Sequence, residues 1–463
     1  MDILLAHSYF LDEDPVEQKI MKPYPPLGLL YLSAYLKARG FAPQIFDSTF
    51  KTRQDYYDVI DRERPSVVGI YCNLLTRRAV LDMARHAKAR GATVVIGGPE
   101  PRYHADKFVE NGADVVVAGE GELTLEELLP HLRKHGPKNM GHIKGITYRE
   151  ETGQIVSTGE REFVKSMDEL PLPDRDAIDM AAYVNAWRSR HGMGSVSLIT
   201  ARGCPYKCSW CSRAVFGESH RRRSPHLVAE EVALIREKYN PDMLWMADDV
   251  FTINHRWLAE FHAEMKKRDL RIPFECISRA DRLNDQALQA LSELGCFRIW
   301  YGSESGSQKI LDAMKRGVTV DKIREVTRQA KQYGIKAGFF VMFGYPGEEL
   351  EDIEKTIAHL KLADPDDFLT TVAYPIKGTP FYEEIENRII EPAPWEQRID
   401  RALSVTGRHS YRFYQFVQQR AVNEFKFHKM RNGGEKNLLK MAEFFLKGQV
   451  ARLGMELTKS VRT

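Results

Sequence analysis

"ITARGCPYKCSWCSRAVFG", residues 199–217, places three of the chain's six cysteines, Cys204, Cys208 and Cys211, in one loop. Structural zinc takes four ligands, usually as two separated pairs. No partner pair exists here, and His220 as a fourth ligand gives the spacing of neither a finger nor a ribbon. A disulfide would strand one cysteine. Six cysteines in 463 residues, with no secretory leader at the Met-Asp-Ile start, point to reduced thiols in the cytoplasm. Iron–sulfur clusters are held by thiolates at local spacings of about two to four residues. Three thiolates on a [4Fe-4S] cluster leave one iron open, and an open iron can take a substrate or co-substrate.

The loop follows "SVSLIT", the first of six apolar runs. "MLWMADDVF", "PFECIS", "CFRIWYGSE", "KAGFFVMFG" and "FLTTVAYP" come after it, separated by helical stretches. In one of these, "VDKIREVTRQAKQYG", Ile323, Val326, Ala330 and Tyr333 share a face, with Thr319 as cap and Gly334 as stop. This alternation predicts a partial (β/α)6 barrel over residues 195–385, with its active site at the strands' carboxyl ends. Cys72, Cys276 and Cys296 lie in predicted strands and read as small core residues.

Residues 1–140 carry a second alternation, with "DILLAH", "APQIFD", "SVVGIYC", "ATVVIGG" and "ADVVVAG" as strands. The fold class is therefore α/β, opening with a doubly wound parallel sheet that binds its ligand at the strand ends. Those ends are "YCNLLT", "GGPEP" and "AGEGE", where glycines such as Gly97, Gly98, Gly119 and Gly121 permit close backbone approach. Residues 141–194 read as a hairpin turned at Thr152-Gly153, followed by a proline-bearing linker. Residues 386–463 form a C-terminal helical domain, with 13 Lys and Arg against 4 Glu from Arg401 onward. The "RRR" at 221–223 reads as a solvated face. Net charge is only +3, so no global field argues for nucleic acid. No apolar run approaches the ~18 residues of a membrane span.

Cys204-x3-Cys208-x2-Cys211, with Trp210 before the last cysteine, resembles the signature of the radical S-adenosylmethionine superfamily. The resemblance implies that an open iron chelates S-adenosylmethionine, which one electron cleaves to methionine and a 5′-deoxyadenosyl radical. It implies Asp248 or Asp249 at the amino group, Arg279 at the carboxylate, and Glu304 and Ser305 at the ribose or methionine part. Carboxylates, a guanidinium and hydroxyl acceptors are also what a sulfonium with a zwitterionic tail requires. An electron donor such as flavodoxin or ferredoxin is implied as well.

"PPLGLLYLSAYLKARG", "IGGPEP" and "VVAGEGE" resemble the cobalamin-binding domain that precedes the barrel in one large subgroup. This implies that Asn73, Leu74, Leu75 and Thr76 line the corrin, and that Gly97, Gly98, Pro99, Gly119 and Glu120 flank the rest of the cofactor. "HSYFLDEDPVEQK" lacks the Asp-x-His-x-x-Gly pattern and suggests cobalt without a histidine from below. Glu100 stands where many relatives have histidine. The implied activity is methyl transfer to an unactivated carbon of a small-molecule or lipid-like substrate. A non-methylating oxidative cyclisation with the same cofactors, of the anaerobic magnesium-protoporphyrin ester cyclase type, is the alternative. A non-catalytic iron–sulfur sensor is the rival from another class. The basic, phenylalanine-bearing tail reads first as a helical lid and leaves room for peripheral membrane contact.

Overall fold

Alternate residues of the front strands are apolar on both sides, and each side finds its own helices. In the computed structural model, which describes residues 1–433 and 437–463, the chain divides into two units. The first comprises Met1–Pro205, Ser212–Ala247 and Ala393–Ile399. Its strands β1 (Ile3–Ala6), β2 (Pro43–Phe46), β3 (Val67–Tyr71), β4 (Thr93–Gly97) and β5 (Val115–Val117) are parallel, in the order 2-1-3-4-5. Helices α1 (Pro15–Ile20) and α2 (Leu27–Ala38) follow β1, and α3 (Arg53–Glu63), α4 (Arg77–Ala89), α5 (Ala105–Glu110) and α6 (Glu122–His135) follow β2 to β5 in turn. Leu4, Ala6, Val68, Ile70 and Val94 pack with Ile60, Val80 and Ala84. Ile3, Leu5, Val67 and Val95 pack with Leu29, Leu36 and Leu128. The period of two along each strand thus fills a core on either face.

The predicted hairpin forms as β6 (Ile146–Arg149) and β7 (Ile155–Ser157), with Gly153 at φ 88° in its turn. It joins the sheet rather than merely connecting domains: β6 pairs antiparallel with β5 and covers that edge. The segment Ala393–Ile399 also belongs to this unit, which the sequence did not reveal. Trp395 enters the apolar cluster, and the Arg77 guanidinium lies 4.6 Å from its ring centroid. Arg77 donates to the carbonyls of Trp395 (3.2 Å) and Arg398 (3.0 Å) and to the Glu100 carboxylate (3.0 Å). At Gly98, φ is 111°, and an added Cβ would lie 2.3 Å from the Cys72 carbonyl oxygen. Its glycine therefore serves the chain's own packing.

The rest of this unit holds α7 (Met180–His191), β8 (Ser195–Leu198), β9 (Ala201–Arg202), β10 (Arg221–Arg222), α8 (Pro225–Tyr239) and β11 (Met243–Met246). β11 runs parallel to β8, and β10 pairs antiparallel with β9. The reading of 221–223 as a solvated face is corrected. Arg223 is buried and donates to the Leu170 carbonyl (2.8 Å), while Arg221 donates to Glu120 (2.9 Å) and to the Val164 carbonyl (2.7 Å). A run of like charges needs water only when no acceptors face it.

The second unit comprises Tyr206–Cys211, Asp248–Pro392 and Asp400–Thr463. It contains α9 (His255–Lys267), β12 (Phe274–Ser278), α10 (Asp285–Leu294), β13 (Cys296–Glu304), α11 (Gln308–Ala313), α12 (Val320–Gln332), β14 (Lys336–Phe343), α13 (Leu350–Ala363), β15 (Asp367–Val372), α14 (Pro380–Ile385), α15 (Tyr411–Asn432) and α16 (Leu438–Thr458). Strands β12 to β15 are parallel and neighbour one another in sequence order. Thr319 caps α12 by accepting from the Lys322 amide (3.1 Å). Cys276 and Cys296 are buried free thiols with sulfurs 4.0 Å apart. α16 turns Gly448, Ala451, Gly454 and Met455 inward and leaves Leu439, Leu446, Val450, Leu453 and Leu457 exposed. No described helix is long and apolar enough to cross a membrane.

Trp395→Ala leaves a void under Arg77 and should destabilise the protein by about 3 kcal/mol, the usual cost of truncating a buried tryptophan. Thermal melting measures the loss; an unchanged midpoint would show that this segment is not part of the front core.

Candidate active site

Gly203, just before the first cysteine, has φ 85°, and a Cβ there would lie 2.2 Å from the Ser219 carbonyl oxygen. Only glycine lets the loop leave β9 along this path. Cys204 lies in the first unit, and Cys208 and Cys211 lie in the second. The Cys211 amide donates to the Cys208 carbonyl (3.3 Å), which closes a turn between those two ligand candidates. Ser209 anchors the turn: its amide donates to the Met314 carbonyl (3.2 Å), and its hydroxyl lies 2.7 Å from the Tyr345 hydroxyl.

Cys208 is buried between two guanidiniums. Arg279 Nη1 lies 3.6 Å from its sulfur and Arg316 Nη1 lies 3.5 Å from it. Arg279 follows β12, donates through Nε to Asp281 (2.8 Å) and lies 3.8 Å from the Tyr206 ring centroid. Arg316 donates to the Gly302 carbonyl (2.8 Å), sits over the Trp210 ring, and keeps a buried Nε without a hydrogen-bond partner among the described residues. Arg316 went unnoticed in the sequence, where "MKRG" looks like a helix terminus. Two cations beside one sulfur suit a ligand of an anionic cluster.

The remaining barrel-end candidates divide. Asp248 is buried, whereas its neighbour Asp249 is exposed. Glu304 is buried at the end of β13, where the register with β14 shifts between Gly302 and Glu304. Its φ is 52°, a left-handed conformation rare outside glycine, and the shift turns its carboxylate to 4.0 Å from Arg316 Nε. A Cβ at Gly302 would lie 2.1 Å from the Glu304 carboxylate, so position 302 must be glycine for that side chain to fit. The Ser305 hydroxyl is engaged by Thr356 (3.0 Å) and by the Ser307 amide (3.1 Å).

At the front sheet's strand ends lie two cavities. One of about 460 Å³ is lined by His7, Tyr9, Tyr24, Tyr71, Asn73 and Leu75, among others. One of about 270 Å³ is lined by Gly97, Gly98, Pro99, Gly119, Glu120 and Phe216, among others. Gly28, Leu29 and Tyr71 line both. Asn73 Oδ1 accepts from the Leu75 amide (2.9 Å), and Thr76 Oγ1 accepts from the Asn73 amide (3.1 Å), which shapes the loop. Leu74 is half-buried between them, and Leu75 is exposed. The Glu120 carboxylate accepts from Arg202 (2.8 Å), Arg221 (2.9 Å) and the Val164 amide (2.8 Å), so it braces the wall of its cavity. Small residues at the strand ends beside a largely apolar slot suit a bulky planar cofactor with a tail.

Residues 198–360 match the family model of the Radical SAM superfamily, and residues 16–129 match that of the B12 binding domain. The chain belongs to the cobalamin-binding radical S-adenosylmethionine proteins. Within them it is an enzyme of the group that includes methyltransferases, and its cofactors are a [4Fe-4S] cluster, S-adenosylmethionine and cobalamin. It is 29% identical over 393 residues to the uncharacterized methyltransferase PH0819 of Pyrococcus horikoshii, covering 83% of this chain and 84% of that protein. It is 25% identical over 382 residues to the anaerobic magnesium-protoporphyrin IX monomethyl ester cyclase of Rubrivivax gelatinosus, covering 79% and 67%. The cobalamin-dependent radical enzyme OxsB with aqua-cobalamin bound superposes with a TM-score of 0.77 at 17% identity, over 99% of this chain and 72% of that one. With S-adenosylmethionine also bound, the match to OxsB covers 83% of this chain and 55% of that one, about half its length. The methyltransferase TsrM from Kitasatospora setae, with cobalamin and cluster bound, superposes at 0.69 and 19% identity, over 83% and 74%. These likenesses show the fold, including the partial barrel expected from the six runs.

Burial raises the Glu304 carboxyl from its ordinary 4.5 to about 7, against the opposing pull of Arg316 and Arg279. The folded protein therefore holds a proton that the unfolded chain has released in that window, and stability falls as pH rises through it. Apo Glu304→Gln should melt above the parent at pH 8, by up to about 3 kcal/mol, with the gap closing toward pH 4.5. Equal melting curves at both pH values would show that the carboxyl is not desolvated.

Proposed function

We propose that this enzyme methylates an unactivated carbon of a small-molecule or lipid substrate, drawing electrons from a donor such as flavodoxin or ferredoxin in the cytoplasm. The observation that carries the radical half of the reading is the Cys208 sulfur between two buried guanidiniums, beside a buried acid at the barrel strand ends. When bound, the cluster and S-adenosylmethionine supply a 5′-deoxyadenosyl radical, and cobalamin supplies the methyl group. Cys204, Cys208 and Cys211 hold the cluster. Asp248 takes the ammonium of the co-substrate, with Asp249 at the exposed rim. Arg279 faces its carboxylate, and Glu304 with the Ser305 turn bounds its ribose side. In the front domain, Asn73, Leu74, Leu75 and Thr76 form the platform, and Gly97, Gly98, Pro99 and Gly119 leave room for the tail, with Glu120 bracing the slot. The protein's own part is to orient these groups and exclude water from a reactive centre.

A relative and a superposed structure described as methyltransferases favour methyl transfer; the cyclase relative supports cyclisation with the same cofactors as a second reading. The two differ in what they make from S-adenosylmethionine. Methyl donation leaves S-adenosylhomocysteine, and radical cleavage leaves 5′-deoxyadenosine. The reconstituted anaerobic enzyme should yield both. Deoxyadenosine alone would favour cyclisation, and neither product would favour a sensor. Cys208→Ala should abolish deoxyadenosine.

A further inference from the structure

A third cavity, of about 130 Å³, lies within the second unit at the carboxyl end of β15, the end of a barrel strand where ligands gather. Thr371, Tyr374, Arg401, Ser404, Arg408 and His409 line it, among others. They come from the end of that strand and from the chain that leads into α15. None of its lining residues is a group assigned above to the cluster, S-adenosylmethionine or cobalamin.

The cavity is cationic, and its charge is unbalanced. Elsewhere in this unit an arginine meets carboxylates: Arg420 donates to Glu354 (2.8 Å) and to Glu424 (2.6 Å). Among the described residues, Arg401 and Arg408 form no ion pair. Arg408 is held in place without being neutralised. Its Nη1 donates to the Ala373 carbonyl (2.7 Å), and its guanidinium lies 5.3 Å from the Tyr414 ring centroid. Its buried Nε has no hydrogen-bond partner among the described residues. A Cβ at Gly344 would crowd Arg408 Nη2, so glycine there leaves the guanidinium its place. Glu348 shares the field of Arg408, but burial raises that carboxyl from 4.5 to about 8. At neutral pH it keeps its proton and leaves the arginine's charge standing.

The rest of the wall is polar and fixed. His409 is 6% exposed and stacks on Phe413 with ring centroids 4.0 Å apart. Its Nδ1, also buried, has no hydrogen-bond partner among the described residues. Thr463 closes one side through its backbone: its amide donates to the Arg408 carbonyl (2.9 Å), and its carbonyl accepts from the Gly407 amide (3.0 Å). A buried N–H without an acceptor is costly, and so is a guanidinium without a counter-anion. An oxyanion relieves both, because its oxygens accept from planar guanidinium N–H groups.

We propose that this cavity binds a carboxylate or phosphate group of a small molecule, with Arg401 and Arg408 as the anion's partners. The volume admits one such group rather than a whole cofactor. The site stands apart from the cofactors and serves under either reading of the reaction.

Titration calorimetry of the unreduced holoenzyme tests it. The enzyme is saturated with S-adenosylmethionine, so that the co-substrate's own carboxylate site is filled, and ionic strength is held constant with chloride. Inorganic phosphate and acetate are the two probes. At least one should bind saturably at one site per chain, and the one that does so names the group. Arg401→Gln changes an exposed side chain, and Arg408→Lys keeps the charge but loses the fork. Each should weaken that binding by about tenfold. Lys447→Gln, on α16, should leave it unchanged. No saturable heat from either anion would overturn the proposal. So would parental affinity in both arginine variants, or an equal loss in Lys447→Gln, which would mark a diffuse surface field.

Discussion

A buried guanidinium is tolerable only if anions or carbonyls surround it, and at Cys208 two of them converge. Neither can move freely. Arg279 is tied to Asp281 and stacked on Tyr206, and Arg316 is tied to the Gly302 carbonyl and stacked on Trp210. The sulfur is therefore held in a positive environment before any iron arrives. The loop gains its precision from the elements that carry these arginines, not from its own sequence. Glu304 completes the arrangement by accepting a left-handed backbone, a local strain of about 1–3 kcal/mol that persists only where surrounding structure enforces it. Gly302 permits it, since a side chain there would occupy the carboxylate's place.

The front domain follows the same principle with different groups. Its glycines have two separate duties. Gly98 is demanded by the Cys72 backbone beside it, whereas Gly28 has open space around its missing Cβ and leaves room in both cavities. Charges that look like surface decoration prove to be braces. Glu120 holds Arg202 and Arg221, and Glu122 accepts a further bond from Arg202 (2.6 Å). Such networks are worth less for stability than for geometry, because a wrong arrangement would leave a charge buried alone.

Both strand–helix alternations, the hairpin and the helical tail were legible in the sequence, since period and punctuation are local properties. Thr319 and Gly334 could be named as ends of a helix because capping depends on neighbours three or four residues away. The expectation for residues 221–223 failed for the complementary reason. Whether an arginine is solvated depends on acceptors such as Glu120 and Leu170, at least 50 positions distant in the chain. Trp395 was missed in the same way, because nothing near it announces that its segment belongs with the front core.

The sequence by itself determined the cysteine spacing, the α/β order of both halves and the glycine-bearing strand ends, and with them the class of chemistry. Each of these is written in contiguous residues. Only the tertiary structure decided that Arg316 stands beside Cys208, that Asp248 is buried while Asp249 is not, and that His7 lines a cavity with its Nδ1 3.6 Å from Asp47. Those facts depend on which side chains meet after the chain has folded, and chain distance carries no record of such meetings.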